Sequence, residues 1–165
     1  SVRDPIIDLR SASTNAERPM FKRLPAAIIM LIASASPVWA TEHIVEMLNR
    51  GLNGQPLQYE PAFLKIEPGD SVTFKSVNPG HNVVSINGMI PDGAEPFRSR
   101  LSQDVTITFD QPGLYGYKCQ PHYAMGMVGL IQVGDDISNL DAAQSVRAPG
   151  RAGALFEELF SQVSN

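Results

Sequence analysis

Apolar and polar positions alternate through the middle of the chain. Val72-Thr73-Phe74-Lys75 and Val105-Thr106-Ile107-Thr108-Phe109 repeat with a period of two, the pattern of a strand with one face on a core. Short stretches rich in β-branched and aromatic residues at 43–49, 63–66, 71–77, 82–86, 104–109, 114–119 and 128–133 extend it. Between them stand Pro68-Gly69-Asp70, Asn78-Pro79-Gly80, Asn87-Gly88 and Gln111-Pro112-Gly113, whose side chains and backbone freedom suit tight turns. Short strands with this punctuation predict an antiparallel sandwich or barrel. Past Gly134 the period lengthens. Residues 136–146 read as a helix with Ser138 or Asn139 near its N-cap, and 152–163 as a second one after Pro149-Gly150. Leu155, Phe156, Leu159, Phe160 and Val163 form one stripe that must pack on the sandwich. The expected architecture is an all-β sandwich over 41–134 with two C-terminal α-helices, 135–165, packed on the same domain.

The first forty residues follow another logic. Met20 is followed by basic Lys22 and Arg23, an apolar stretch over 24–32, and Val38-Trp39-Ala40 as a small-residue cleavage site. Residues 20–40 therefore read as a secretory signal peptide cut after Ala40. Pro25 and Pro37 interrupt the apolar run, which falls short of the roughly 20 residues of a membrane span; an uncleaved anchor is the competing reading. Residues 1–19 lack periodicity, precede a good start methionine, and are set aside as an over-extended reading frame or non-native leader. Export places the protein in the periplasm, free of the membrane after cleavage. The chain carries a formal charge of −4, and beyond Ala40 eight Lys and Arg face fourteen Asp and Glu. That balance disfavours nucleic acid as a partner.

Cys119 is the one cysteine, so no intrachain disulfide can form. It opens the stretch Cys119-Gln-Pro121-His122-Tyr-Ala-Met125-Gly-Met127 between two predicted strands. A thiolate, an imidazole and a thioether in one loop combine soft and borderline donors that suit copper in both oxidation states. His81, at the start of a separate strand, completes a two-histidine, one-cysteine set if the strands are neighbours. Spacing alone allows either Met125 or Met127 as a weak axial donor. His43, in an alternating strand near the start of the domain, reads as structural or solvated. No Ser/His/Asp set can be assembled without using one of these histidines, and no Gly-rich phosphate loop is present.

Gly80-His81-Asn82 with Tyr117-x-Cys119-x-Pro121-His122-x-x-Met125-x-Met127-x-Gly129 resembles the cupredoxins, and Lys118-Cys119 through Met127 resembles the pseudoazurins among them. The likeness also covers residues 78–83, 89–94 and the two C-terminal helices. It implies an eight-stranded Greek-key sandwich holding one type I copper ion, Cu(I)/Cu(II), on His81, Cys119, His122 and Met127. Asn82 and Pro121 take the family's supporting positions. The implied role is that of a monomeric electron carrier, not an enzyme, serving a denitrification enzyme such as nitrite reductase, with cytochrome c and nitrous-oxide reductase as further partners. The implied docking face surrounds Met125, Pro121, Lys118, Arg98 and Arg100, with Arg50 nearby and Met89 and Ile90 joining its apolar part. Arginines stand where pseudoazurins usually carry lysines. A copper-delivery protein and a zinc-stabilised module are the competing readings of the same ligands.

Overall fold

The computed structural model describes residues 39–164. The leader expected over 1–19, and all but the last two residues of the signal peptide expected over 20–40, lie outside the described residues. Eight strands and two helices follow in order: β1 (Glu42–Arg50), β2 (Pro56–Glu60), β3 (Phe63–Ile66), β4 (Asp70–Lys75), β5 (Val84–Ser85), β6 (Val105–Phe109), β7 (Gly113–Lys118), β8 (Val128–Val133), α1 (Leu140–Ser145) and α2 (Ala152–Phe160). They build two four-stranded sheets, ordered β2-β1-β4-β6 and β3-β8-β7-β5. The chain changes sheet at each step from β2 to β7, and only β1–β2 and β7–β8 pair as sequence neighbours. The result is the Greek-key sandwich expected of the cupredoxin fold.

Two pairs depart from the antiparallel expectation: β1 with β4, and β3 with β8, run parallel. Each pair is joined through strands of the opposite sheet, the long crossover that parallel strands require. The sequence pattern also missed β2. This strand lies at the sheet edge, where Pro56 costs no ladder hydrogen bond, and its Leu57–Tyr59 alternation is masked by Pro56, Gln58 and Glu60.

Residues of β7 and β8 alternate between two cores. Tyr115, Tyr117, Cys119, Ile131 and Val133 point between the sheets, with Val45, Met47, Tyr59, Val72 and Phe74 from the other layer. Leu114, Val128 and Leu130 point outward and meet Ala143, Ala152, Phe156 and Leu159 of the helices. All six residues of β8 are buried, as a strand covered on both faces must be. Asn139 sits at the N-cap of α1, but its side chain makes no cap bond. Instead it accepts from Leu114 N and donates to Leu114 O, both at 2.9 Å, pinning the helix to β7.

The inner layer has no spare room at Gly129, which lies against the Tyr117 ring across the β7–β8 ladder. A methyl group there would overlap the phenol. Gly129→Ala is expected to destabilise the metal-free protein by about 1–3 kcal/mol through overpacking, measured as a lower urea midpoint at unchanged slope.

Candidate metal centre

Two loops meet at one end of the sandwich. The first runs from β4 to β5 and carries His81 after Gly80, whose φ of 89° suits glycine. Ser102 holds it at both edges: Gly80 N donates to Ser102 Oγ at 2.8 Å, and Ser102 N donates to His81 O at 2.8 Å. Asn82 and Val83 were expected in a strand, which the structure confines to Val84–Ser85. Their polar groups are used elsewhere. Val83 exchanges bonds with Ser99, and Asn82 Oδ1 accepts Gln120 N at 2.9 Å, tying the first loop to the second.

The second loop joins β7 to β8. Cys119 N donates to Met127 O at 3.0 Å, closing it, and His122 O accepts from both Met125 N and Met127 N. α2 supports it from outside: Arg151 N donates to Ala124 O at 3.0 Å, and Gly126, at φ 97°, lies against Leu155.

The loops bring together His81, Cys119 and His122. Their donor atoms form a triangle: Nδ1 of His81 to Nδ1 of His122 is 3.1 Å, Cys119 Sγ to Nδ1 of His122 is 3.3 Å, and Sγ to Nδ1 of His81 is 3.8 Å. A point equidistant from all three lies about 2.0 Å from each, close to metal–nitrogen and metal–thiolate bond lengths. The donor set thus fits one ion. Met127 is fully buried in the same core cluster as Cys119, whereas Met125 is 48% exposed. His81 and Cys119 are buried and His122 is half-buried, the member of the triangle nearest water.

Burial pushes the Cys119 thiol up, partly offset by the backbone N–H groups of Asn82 and His122. Burial, then the neighbouring His122, pushes His81 down. Both shifts favour the neutral forms, and a bound cation would reverse that logic by drawing off the thiol proton.

Apart from Asn82, sequence reasoning did not find the residues that orient the donors. His81 Nε2 lies 2.8 Å from Asn49 Oδ1. An amide oxygen only accepts, so Nε2 carries the proton and Nδ1 keeps its lone pair for the metal. Asn49 N in turn donates to Asn78 Oδ1 at 2.8 Å. Tyr59 Oη donates to Asn82 O at 2.6 Å from across the core. The only hint in the sequence was position, since Asn49 ends a strand and Asn78 opens a turn.

The residues expected at the docking face divide. Arg98, Arg100, Leu101, Gln120 and Pro121 line one open groove with Asn82 beside the ligand loops. Arg98 reaches Gln120 Oε1 at 3.3 Å, and Lys118 Nζ lies 4.5 Å from the centre of the Tyr123 ring. Met89 must be removed from the apolar docking patch: it is 1% exposed, packed on Gly116 within the helix-side core. Ile90 packs against the inter-sheet core. His43 is structural, 2.9 Å from Asp70 Oδ2.

Fold and site together define a class. The family model for copper-binding proteins of the plastocyanin/azurin family matches residues 45–134, and the chain belongs to that family, the blue-copper electron carriers called cupredoxins. Within it the similarity is to pseudoazurins. A pseudoazurin of Paracoccus pantotrophus is 45% identical over 141 residues, 86% of this chain and 97% of the relative. One from Methylorubrum extorquens is 42% identical over 146 residues, covering 87% and 98%. The crystal structure of pseudoazurin from Methylobacterium extorquens AM1 superposes with a TM-score of 0.72 at 43% identity, covering 74% of this chain and 99% of that one. The cofactor is one copper ion, and the protein carries electrons rather than catalysing a reaction.

Proposed function

We propose that the protein is a soluble periplasmic electron shuttle. Cys119 as thiolate and His81 and His122 through Nδ1 would hold the copper, with Met127 as a weak fourth donor. The observation that carries this reading is the triangle of soft and borderline donors with edges of 3.1–3.8 Å, closed over by two hydrogen-bonded loops. Bound there, copper supplies a one-electron couple. The chain's part is to keep the donors in place when the charge changes, which the ties from Asn49, Asn82 and Ser102 support. A delivery protein, which must release its metal, would be served by looser donors. The visible spectrum of the copper-loaded protein tests the reading: an intense thiolate band supports it, and a colourless copper or zinc form rejects it.

The electron leaves through His122, beside exposed Pro121 and Met125, to an acidic partner such as nitrite reductase; cytochrome c and nitrous-oxide reductase are further candidates. Lys118, Arg98 and Arg100 frame that face: Lys118 immediately precedes Cys119 at the end of β7, and Arg98 and Arg100 line the groove with Asn82, Gln120 and Pro121. Charges around an apolar patch act mainly on association rate and weaken with salt. Replacing Lys118 and Arg98 by glutamate is expected to slow second-order electron transfer to nitrite reductase about tenfold at low ionic strength. The gap should close as salt is added while the copper spectrum stays unchanged. Rates that coincide across the salt series would reject the collar.

A further inference from the structure

β1 and β4 run parallel with Glu42 opposite Ser71, so their starting ends lie together at the end of the sheet away from Asn49. Asp70 is buried there, 4% exposed, and its carboxylate accepts three hydrogen bonds. Thr41 N donates to Oδ1 at 2.7 Å, while His43 Nε2 at 2.9 Å and Glu67 N at 3.1 Å serve Oδ2. Thr41 is also held at its carbonyl, by Ser71 N at 3.0 Å. Burial pushes the Asp70 carboxyl up, but the Thr41 N–H, the His43 ring and the Glu67 N–H outweigh it and hold the group below its ordinary value. It is an anion at neutral pH. The other carboxylates nearby point elsewhere: Glu42 accepts from Thr73 Oγ1, and Glu67 is exposed.

Among the described residues, the hydrogen bonds that fasten this end begin at Thr41, one residue before β1. Ala40 is exposed, and Trp39 is 83% exposed. The small-residue cleavage pattern Val38-Trp39-Ala40 ends at the same bond. We propose that Asp70 is the receptor for the α-ammonium group that leader removal creates on Thr41. This rests on the reading of the chain as exported and cut after Ala40. In the cut, a leader peptidase adds water across the Ala40–Thr41 amide. Ala40 leaves with the new carboxylate, and Thr41 keeps the nitrogen, which takes up a proton to become –NH3+. No electrons are transferred. A neutral N–H on Oδ1 thereby becomes a charge-assisted donor, roughly twice as strong. The same ammonium one residue upstream would stand in water, screened from Asp70. Processing thus fastens the start of β1 onto β4. The competing account is that Asp70 serves only as an acceptor for backbone N–H groups and is indifferent to charge on Thr41.

The test compares the full chain, exported and recovered from cells, with a form carrying one extra alanine between Ala40 and Thr41. The extra residue keeps the Thr41 N–H but moves the ammonium outward. Mass spectrometry of the recovered protein should give a start at Thr41; any other start overturns the cleavage reading and the proposal with it. Given that start, the α-amine should be acylated about tenfold more slowly at pH 7 than in the extended form, the effect of a one-unit rise in its pKa. The extended form's unfolding constant should be about fivefold larger. Asp70→Asn should erase both differences. Equal acylation rates with a start at Thr41 overturn the receptor while leaving the cleavage reading intact. Should Asp70→Asn not fold, the comparison of the two wild-type starts decides alone.

Discussion

Copper-loaded Cys119→Ser protein is expected to be colourless and redox-silent while remaining folded. The intense visible band of a blue-copper site comes from charge transfer out of a thiolate, and a serine hydroxyl, which stays protonated and hard, cannot replace it. Two histidines and one methionine would be left as ligands. Copper affinity should fall by more than about a hundredfold, the upper figure for losing merely a supporting group around a ligand. The fold does not depend on the thiol. Cys119 is one small member of an inter-sheet core built on Tyr59, Phe74, Tyr117 and Ile131, so the exchange should cost only about 1–3 kcal/mol for a buried hydroxyl. An absorption spectrum and a urea melt of the metal-free protein check the two halves separately. A variant that keeps an intense blue or green band would remove Cys119 from the site.

Met127→Leu should leave copper bound and raise the reduction potential by about 60 mV or more, a tenfold shift in the preference for Cu(I). A thioether donates more usefully to Cu(II) than to Cu(I), and the axial ligand tunes the potential of such sites. Leucine matches methionine in volume, so the core around this fully buried residue should be kept. Met125→Leu is the control. That side chain is half exposed on the loop's outer edge, and its replacement should move the potential by less than about 20 mV, a factor of two. Voltammetry of both variants settles the pair, and the reverse outcome would make Met125 the axial donor.

The metal centre was legible because three of its four residues fall within nine positions of one loop, where covalent connection brings them close. His81 was legible only through its motif, since nothing in a linear pattern says that the β4–β5 loop folds onto Cys119. The supporting shell was hidden for a physical reason. Asn49, Asn78 and Tyr59 act through hydrogen bonds across sequence separations of 23 to 32 residues, and none is distinguished by type from an ordinary turn or core residue. Met89 misled in the opposite way, because its place beside a turn suggested exposure. Gly116, on the neighbouring strand, opens the space that takes the side chain inward.

The main-chain bond from Arg151 to Ala124 has a consequence for how such a centre can be rebuilt. Because the helix grips the loop through its backbone, side chains at 123–125 can be exchanged without releasing that grip, but an added or deleted residue would shift the carbonyl out of reach. A binding loop transplanted from a relative lacking the terminal helices would arrive without its brace. A graft that keeps the spacing between Cys119 and Met127, or that moves loop and helix as one cassette, respects the mechanical unit that this chain uses.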